Sequence, residues 1–376
     1  MKKLGIVLVH YHSPALLAPA IAALRTDAAA AGITTEIVVV DNGSTAAEQA
    51  ELLALARQQE LRLHVSGRNS GYAGGVNAGA ALLPAADMLL LMNPDVLVLP
   101  GCLAALWEKV AAGAAACGPL FYWDEPGGFA LPPTEACGFF EELLRVAAGR
   151  HGGALLKLAR RRWRAHARRY FLAEQAFAGY DLSGALLMVS AEAFRRLGGF
   201  DESYALYFEE TDFLQRLRQA GLPACFEPRA RAIHLYAQST PRDGRVAALY
   251  GASQKLFRHR FYGNRRAAWL AALAAGGAAS AAPELAAATP LSASGSWPLD
   301  PRAAWLEISP SPLRYPAAAR RLPAAAGRLE PILSPPLLER MAPGVYWLQT
   351  VAADGRELAL GRLEVPAQTR SPSPMV

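Results

Sequence analysis

Residues 36–45 read EIVVVDNGST, an apolar run that stops abruptly at an acid, an amide and a glycine. Isoleucine and valine favour β-strands, and a strand that is apolar on both faces is typical of a parallel sheet covered by helices. In such sheets, ligands bind at the carboxyl ends of the strands. The segment therefore predicts a buried parallel strand, Glu36–Val40, that carries Asp41 at a binding edge.

On both sides of this segment, strand-like runs alternate with helical patterns. Strands are predicted at Leu4–Val9, Leu61–Val65 and Met88–Met92, and helices at Pro14–Ala30, Ala46–Gln59 and Ala73–Leu83. This alternation predicts an α/β/α sandwich with a mainly parallel sheet.

Each of these predicted strands is followed by a polar cluster. The clusters are HYHS at 10–13, DNGS at 41–44, NSG at 69–71 and NPD at 93–95. Taken singly, such residues also end strands and cap helices. The glycine-rich segment 69–77, NSGYAGGVN, either binds phosphate through backbone amides or only begins a helix. It lacks the P-loop lysine and the GxGxxG spacing, which disfavours P-loop ATPases and dinucleotide dehydrogenases.

Other candidate residues are acids and one histidine. Asp95 either ends a turn or binds a divalent cation, which prefers oxygen ligands. The sequence EETD at 209–212 opens a helix predicted over Glu209–Ala220, where acids stabilise the N-terminus. Three acids are more than the start of a helix requires, and one of them can serve as a general base. His234 is either a core histidine or a metal ligand.

The order of the segments is more specific than any one of them. HYHS, VVVDNGST, NSGYAGGVNAG, LLLMNPDV, SGALLMVSAEAFRRLGGFDESYALYFEETDFLQRLRQAG and IHLYAQST resemble, in that order, the family 2 glycosyltransferases with the GT-A fold. The resemblance is strongest to the rhamnosyltransferase-like branch and covers roughly Lys3–Gly263. It implies an inverting hexosyl or deoxyhexosyl transferase that uses a UDP- or dTDP-sugar. The acceptor would be a saccharide or a lipid-linked glycan, in synthesis of the cell wall or another cell-surface polysaccharide.

The resemblance also implies roles for individual residues. The nucleotide-binding residues would be Tyr11, Ser13, Asp41, Asn69, Gly71, Asn77 and Asn93. Asp95 matches the last acid of a DxD motif, here Asn-Pro-Asp, and with His234 would bind Mg²⁺ or Mn²⁺. Glu210 matches the catalytic base, which is usually an aspartate, so Glu209 and Asp212 are alternatives. Gly184 matches the start of the acceptor-side strand.

Two other functions are open to a chain of this kind. A sugar-1-phosphate nucleotidyltransferase would need a glycine-rich loop with arginine and lysine near the N-terminus, which Val9–Ser13 does not provide. A catalytically silent glycan-binding protein is favoured only by the missing acid at position 93 and the glutamate at position 210.

Composition shifts along the chain predict its domains. Residues 1–265 would form the transferase domain, with a nucleotide-binding part (1–119) and an acceptor-binding part (120–265) that contains a basic helical insertion at about 140–172. Residues 266–300, rich in Ala, Ser and Pro, predict a linker. Residues 301–376 predict a small β-rich module, in which Asp354-Gly355 is typical of a hairpin between two strand-like runs.

The global composition adds weaker constraints. The 376 residues include 38 Lys and Arg against 32 Asp and Glu, a mild excess that does not call for nucleic acid as a partner. Four dispersed cysteines, a short N-terminal apolar run and the absence of a bilayer-length run predict a cytoplasmic protein. The basic stretch Lys157–Arg169 is either a solvated helix face or a peripheral contact with the inner face of the membrane.

Overall fold

A computed structural model describes residues 2–124, 127–235, 244–275, 283–324 and 327–366. The chain divides into two compact units. Unit 1 comprises Met1–Tyr122, Pro133–Phe139 and Arg168–Ala272, and unit 2 comprises Trp123–Pro132, Phe140–Ala167 and Leu273–Val376.

The described residues form strands and helices with the following bounds. The strands are β1 (Lys3–His10), β2 (Thr34–Asp41), β3 (Arg62–Val65), β4 (Met88–Met92), β5 (Val96–Val98), β6 (Ala116–Tyr122), β7 (Phe177–Ala178), β8 (Leu186–Ser190), β9 (Ala224–His234), β10 (Thr289–Leu291), β11 (Trp297–Pro298), β12 (Ala303–Ser309), β13 (Ala318–Arg321), β14 (Arg328–Leu329), β15 (Gly344–Ala352) and β16 (Glu357–Val365). The helices are α1 (Pro14–Ala30), α2 (Ala46–Gln58), α3 (Gly71–Ala81), α4 (Cys102–Ala111), α5 (Phe139–His151), α6 (Gly153–Phe171), α7 (Ala191–Arg196), α8 (Glu209–Gln219), α9 (Gly244–Tyr262), α10 (Asn264–Ala275), α11 (Pro283–Ala286) and α12 (Pro335–Arg340).

Unit 1 is built on one large sheet with the order β3-β2-β1-β4-β8-β6-β9-β5, and β7 also pairs with β9. Strands β1 to β4 are parallel, which confirms the predicted mainly parallel sheet. The antiparallel strand β8 lies between β4 and β6, with Leu186 opposite Met92. Because β8 starts where β4 ends, the loop before β8 lies at the edge that carries the polar clusters.

Helix α3 packs very closely on this sheet. A Cβ atom on Gly79 would lie 2.5 Å from Cγ1 of Val7, and one on Gly75 would lie 2.7 Å from Cγ1 of Val9. The glycines therefore let the helix backbone approach the buried valines of β1. This close approach fixes the start of α3, including Gly71, beside the carboxyl ends of β1 and β2.

A buried carboxylate on α1 holds the start of α4. Asp27 accepts hydrogen bonds from the backbone amides of Gly101 (2.6 Å) and Leu103 (2.7 Å). These amides belong to the first turn of α4 and have no partner within that helix. The anionic side chain also interacts favourably with the positive end of the helix dipole.

Asp27→Ala is expected to lower the free energy of unfolding by about 2 to 3 kcal/mol, because it leaves buried amides without an acceptor. Denaturant unfolding measures this. Asp87→Ala is the matched control, since exposed Asp87 also accepts a backbone hydrogen bond, from Lys3. A loss at Asp27 no larger than the loss at Asp87 would contradict the capping role.

Unit 2 contains a second, smaller sheet with the order β10-β16-β15-β12-β13, and a separate pair of β11 and β14. The hairpin predicted at Asp354-Gly355 is confirmed, because β15 and β16 pair antiparallel on either side of it. The predicted linker at 266–300 instead contains regular structure, including most of α10. Within it, β10 pairs with β16 and completes the sheet.

The predicted basic insertion is helical but is not a free basic face. Arg160 is 2% exposed and Arg164 is 5% exposed. The guanidinium of Arg164 donates to both carboxylate oxygens of Glu307, at 2.7 and 2.9 Å, and Nε of Arg160 lies 3.0 Å from Oε1 of Glu357. Both interpretations of the stretch, solvated face and membrane contact, are therefore wrong for Arg160 and Arg164, which are held by acids of the small sheet.

Candidate active site

Asp41 and His10 end adjacent strands at the polar edge of the large sheet, opposite each other in register. Both side chains are fully buried. Asp41 Oδ1 accepts a hydrogen bond from the Ser44 amide at 3.0 Å. Neither Asp41 Oδ2 nor His10 Nε2 has a hydrogen-bond partner among the described residues. Burial lowers the pKa of His10 against the opposing effect of Asp41. Unsatisfied buried polar atoms are costly, so this corner suits a ligand that forms hydrogen bonds.

Tyr11 and Ser13 lie next to this corner, immediately after β1. Ser13 is buried, with its Oγ 3.4 Å from Nδ1 of His10. Tyr11 is half-buried, and its ring packs edge-on against His12 with centroids 4.2 Å apart. The structure thus brings the predicted residues Tyr11, Ser13 and Asp41 to one edge.

Asn42 ties the second polar cluster to the third, a role the sequence alone did not reveal. Its amide nitrogen donates to Asn69 Oδ1 (3.1 Å) and to the carbonyl of Gly71 (2.9 Å). Its Oδ1 accepts from the Ser70 amide at 2.9 Å. Gly71 has a φ of +74°, a conformation that favours glycine. Asn69 and Gly71 are thus placed beside Asp41 at the start of α3.

Asn77, predicted to bind nucleotide, has a different environment. Its amide nitrogen donates to the Phe200 carbonyl and to Oε1 of Glu202, both at 2.9 Å, and its Oδ1 accepts from the Phe200 amide. The side chain therefore holds the loop that leads to α8. The nucleotide-binding role of Asn77 stays a prediction.

Glu210 lies against Gly184, the residue matched to the acceptor-side strand. A Cβ atom on Gly184 would come within 2.8 Å of Glu210 Cγ, so only glycine leaves room for the glutamate. The hydroxyl of Tyr72 donates to the Gly184 carbonyl at 3.1 Å. Tyr72 follows Gly71 directly, so contacts run unbroken from Asn42 to Glu210.

The negative charges of three acids act on the Tyr72 hydroxyl. Burial raises the pKa of Tyr72, and the negative charges of Glu209, Glu210 and Asp95 raise that pKa further. Burial raises the pKa of Glu210, and burial together with the charge of Glu210 raises the pKa of Glu209 well above the usual value. The predicted metal ligand, Asp95, and two predicted bases therefore all lie within electrostatic range of the Tyr72 hydroxyl.

The two glutamates differ in access. Glu209 is buried, and its Oε2 has no hydrogen-bond partner among the described residues. Glu210 is half-buried and is therefore the more exposed residue of the two. The preceding residues Tyr207 and Phe208 have φ values of +63° and +71°. Such strained backbone clusters at functional sites.

Asp212, the third candidate base, is fully buried and fully engaged. Its Oδ1 accepts from Arg260 (2.6 Å) and from the Tyr204 hydroxyl (3.2 Å), and its Oδ2 accepts from Arg216 (2.6 Å). These contacts tie α8 to α9, because Arg216 lies on α8 and Arg260 on α9. The role of Asp212 as an alternative base stays a prediction.

Asp212→Ala is expected to lower the free energy of unfolding by about 3 to 5 kcal/mol, since it leaves two arginines without their buried partner. Thermal or denaturant unfolding measures this. Asp201→Ala is the control, because half-buried Asp201 also pairs with Arg260 but is partly solvated. Unchanged stability together with lost turnover would instead make Asp212 catalytic.

Asp95 and His234 meet across two adjacent strands. Asp95 Oδ1 lies 3.4 Å from His234 Nε2, and the Asp95 carbonyl accepts from the Leu235 amide at 2.9 Å. Asn93 is half-buried, and its backbone amide donates to the Ala185 carbonyl at 2.9 Å, next to Gly184.

The fit of this pair to a divalent cation is partial. Among the described residues, no group of three or more His, Cys, Asp or Glu side chains could hold a metal ion by itself. Mg²⁺ is commonly held by one or two carboxylates together with substrate phosphates. Asp95 and His234 therefore suit a cation whose other ligands come from a bound diphosphate.

Comparison with known proteins agrees with this geometry. The model for "Glycosyl transferase family 2" matches residues 5–194, about half of the chain. The chain belongs to glycosyl transferase family 2. The predicted GT-A fold class is confirmed, with a separate small β sheet in unit 2.

Relatives and solved structures were also found. The chain is 31% identical over 245 residues to the N-acetylglucosaminyl-diphospho-decaprenol L-rhamnosyltransferase of two Mycobacterium tuberculosis strains, CDC 1551 / Oshkosh and H37Rv. This alignment covers 62% of this chain and 76% of the relative. GalNAc-T7 with UDP, GalNAc and Mn²⁺ aligns with a TM-score of 0.45 and 13% identity, covering 69% of this chain but only about half (51%) of that one. The mannosyltransferase PcManGT of Pyrobaculum calidifontis, with GDP-Man and Mn²⁺, aligns with a TM-score of 0.43 and 16% identity, covering 76% and 78% of the two chains.

None of the described helices is both long and apolar enough to cross a membrane.

Proposed function

We propose that this family 2 glycosyltransferase moves a sugar from a nucleotide-activated donor to an acceptor hydroxyl with inversion at the anomeric carbon. The observation that carries the proposal is the run of contacts from the Asn42-anchored loop through Tyr72 and Gly184 to Glu210. The charges of Asp95, Glu209 and Glu210 all act on the Tyr72 hydroxyl, which supports a leaving-group site and a base that are close together. The family match disfavours the alternative of a nucleotidyltransferase.

In this proposal Glu210 is the base. Its carboxylate, next to Gly184, takes the proton from the acceptor hydroxyl as the oxygen attacks the anomeric carbon. Attack comes from the face opposite the leaving nucleoside diphosphate, so one displacement inverts the configuration. A second carboxylic acid is not needed, because the diphosphate leaves without a proton, unlike the leaving group in glycoside hydrolysis.

The chain's other residues hold the donor. Asp41 Oδ2 and His10 Nε2 are free to bind the nucleobase and ribose side, with Tyr11 and Ser13 beside them. Asp95 and His234 would hold Mg²⁺ or Mn²⁺, which neutralises charge on the diphosphate when bound. Burial and the charge of Glu210 both raise the pKa of buried Glu209.

The acceptor class follows from the relatives. The M. tuberculosis proteins are named for rhamnosyl transfer to N-acetylglucosaminyl-diphospho-decaprenol. We propose a deoxyhexose such as rhamnose as the transferred sugar and a lipid-linked GlcNAc diphosphate as the acceptor, in cell-surface polysaccharide synthesis.

A donor panel tests the proposal. Release of nucleoside diphosphate from dTDP-rhamnose and several UDP-sugars is measured with Mg²⁺ or Mn²⁺, with and without a short-chain GlcNAc-diphosphate lipid. Acceptor-dependent release, with a product whose anomeric configuration is inverted by NMR, is expected for one donor. Formation of a nucleotide-sugar from sugar-1-phosphate and nucleoside triphosphate would support the nucleotidyltransferase. Donor-independent glycan binding without turnover would support the silent binding protein.

A further inference from the structure

A continuous series of aromatic rings on unit 1 extends from the start of α8 to α10. We call it the aromatic strip, and its members are Phe208, Tyr250, Phe257, Tyr262, Phe139 and Trp269. Phe208 contacts both Tyr250 and Phe257, with centroids 5.3 and 5.4 Å apart. The contacts continue from Phe257 to Tyr262 (5.9 Å), from Tyr262 to Phe139 (5.8 Å) and from Phe139 to Trp269 (6.0 Å).

Both ends of the strip reach solvent. Trp269 is 53% exposed and Tyr250 is 39% exposed. Next to Tyr250, Leu249 is 39% exposed and Tyr207, whose ring contacts Tyr250, is 38% exposed. At the α9 end, Tyr207, Leu249 and Tyr250 are neighbouring exposed apolar side chains, and exposed apolar patches mark interaction sites.

Helices α9 and α10, which carry Tyr250, Phe257, Tyr262 and Trp269, contain basic residues and no acids. Residues 244–275 include six lysines and arginines and no aspartate or glutamate. Arg260 is engaged by Asp201 and Asp212. Lys255 and Arg265 are exposed, and the exposed guanidinium of Arg266 lies 5.1 Å from the centre of the Phe139 ring.

We propose that the aromatic strip, together with Lys255, Arg265 and Arg266, docks unit 1 onto an anionic lipid bilayer. Exposed Trp and Tyr beside Lys and Arg are typical of segments that lie in the membrane interface. Clustered basic residues are attracted to anionic lipids. A second copy of the chain would present the same positive charge, so electrostatic complementarity favours the bilayer over self-association.

Docking through the aromatic strip would bring the proposed base close to the bilayer. Phe208 directly precedes Glu209 and Glu210, so the strip begins at the helix that carries the base. A bilayer on the strip would lie near the point where a lipid-linked acceptor must present its sugar. Binding to empty vesicles needs neither donor nor acceptor, so its test is independent of the proposed function.

Vesicle flotation of the full chain tests the proposal. We expect wild-type protein to float with phosphatidylglycerol/phosphatidylcholine vesicles, less with phosphatidylcholine alone, and less at high salt. The double variant Trp269→Ser/Arg265→Glu should weaken partitioning at least about tenfold. Leu53→Ser/Arg57→Glu, which alters an exposed leucine and arginine on α2, is the matched control and should float like wild type.

A second comparison separates the strip from the predicted basic stretch. Leu158→Ser/Arg161→Glu changes exposed residues of α6 and should leave flotation unchanged. Thermal unfolding of each variant verifies the fold. Loss of flotation only in the strip variant supports the proposal. Wild-type protein that does not float, equal loss in the α6 variant, or a dimer that only the strip variant dissociates in sedimentation would overturn it.

Discussion

Glu210→Gln is expected to lower kcat about 10²- to 10⁴-fold, the range for loss of a general base. The glutamine fits the same space beside Gly184 but cannot take the acceptor proton. KM for the donor should change little, because the donor contacts lie on other residues. Steady-state kinetics of nucleoside diphosphate release, measured with a saturating acceptor, give both constants.

Glu209→Gln is the matched control for this variant, since the two glutamates adjoin and both have raised pKa values. Glu209→Gln should lower kcat much less than Glu210→Gln does. The pH profile adds a second criterion: the wild-type rate should fall as pH drops through the raised pKa of Glu210, because the protonated carboxyl cannot accept a proton. A larger loss of kcat in Glu209→Gln than in Glu210→Gln would assign the role of base to Glu209. Full activity of Glu210→Gln would contradict the assignment of Glu210 as the base.

Asp95→Ala is expected to lower kcat/KM about 10²- to 10³-fold, comparable to loss of a major electrostatic contact with developing charge. In the proposed site this carboxylate would help to neutralise the leaving diphosphate, and its Oδ1 lies 3.4 Å from Nε2 of His234. The variant should also need a higher concentration of Mn²⁺ to reach its half-maximal rate. Titration of the rate against Mn²⁺ and Mg²⁺ measures both effects.

Asp87→Ala serves as the control for Asp95, because Asp87 immediately precedes β4 whereas Asp95 follows it. It should leave kcat/KM within a factor of about two, as surface substitutions usually do. His234→Ala should give an intermediate loss. Equal activity of Asp95→Ala and wild type at limiting metal would mean that the diphosphate is bound elsewhere.

The sequence predicted β1, β2, β4 and α8 well because their patterns are local: a buried apolar run, or helical spacing with a glycine stop. It did not predict β6, because Gly118 and Pro119 disfavour a strand. Strand β6 forms because it pairs with β8 on one side and with β9 on the other, and the register with β9 is irregular after Pro119. Likewise, no local pattern marks residues 289–291 as a strand, because β10 exists only through its pairing with β16.

The candidate site divides in the same way. Residues at strand ends, such as Asp41 and Asp95, could be predicted because a parallel sheet collects its carboxyl ends at one edge. The parts played by Asn42, Tyr72 and Asn77 depend on partners 27 to 125 positions away in the chain. The engagement of Asp212 by Arg260 is likewise a long-range contact, 48 positions apart, so the choice among three acids needed the structure.

The buried arginines of α6 limit how this chain can be shortened. Their acidic partners, Glu307 and Glu357, come from strands some 140 to 200 positions later. A truncated protein that keeps α6 but ends before β12 would leave the buried guanidinium of Arg164 without Glu307, and both arginines without Glu357. We expect such a fragment to aggregate. A shortened catalytic fragment for crystallisation would need residues 140–167 to be redesigned, and truncation at the carboxyl end alone would not be enough.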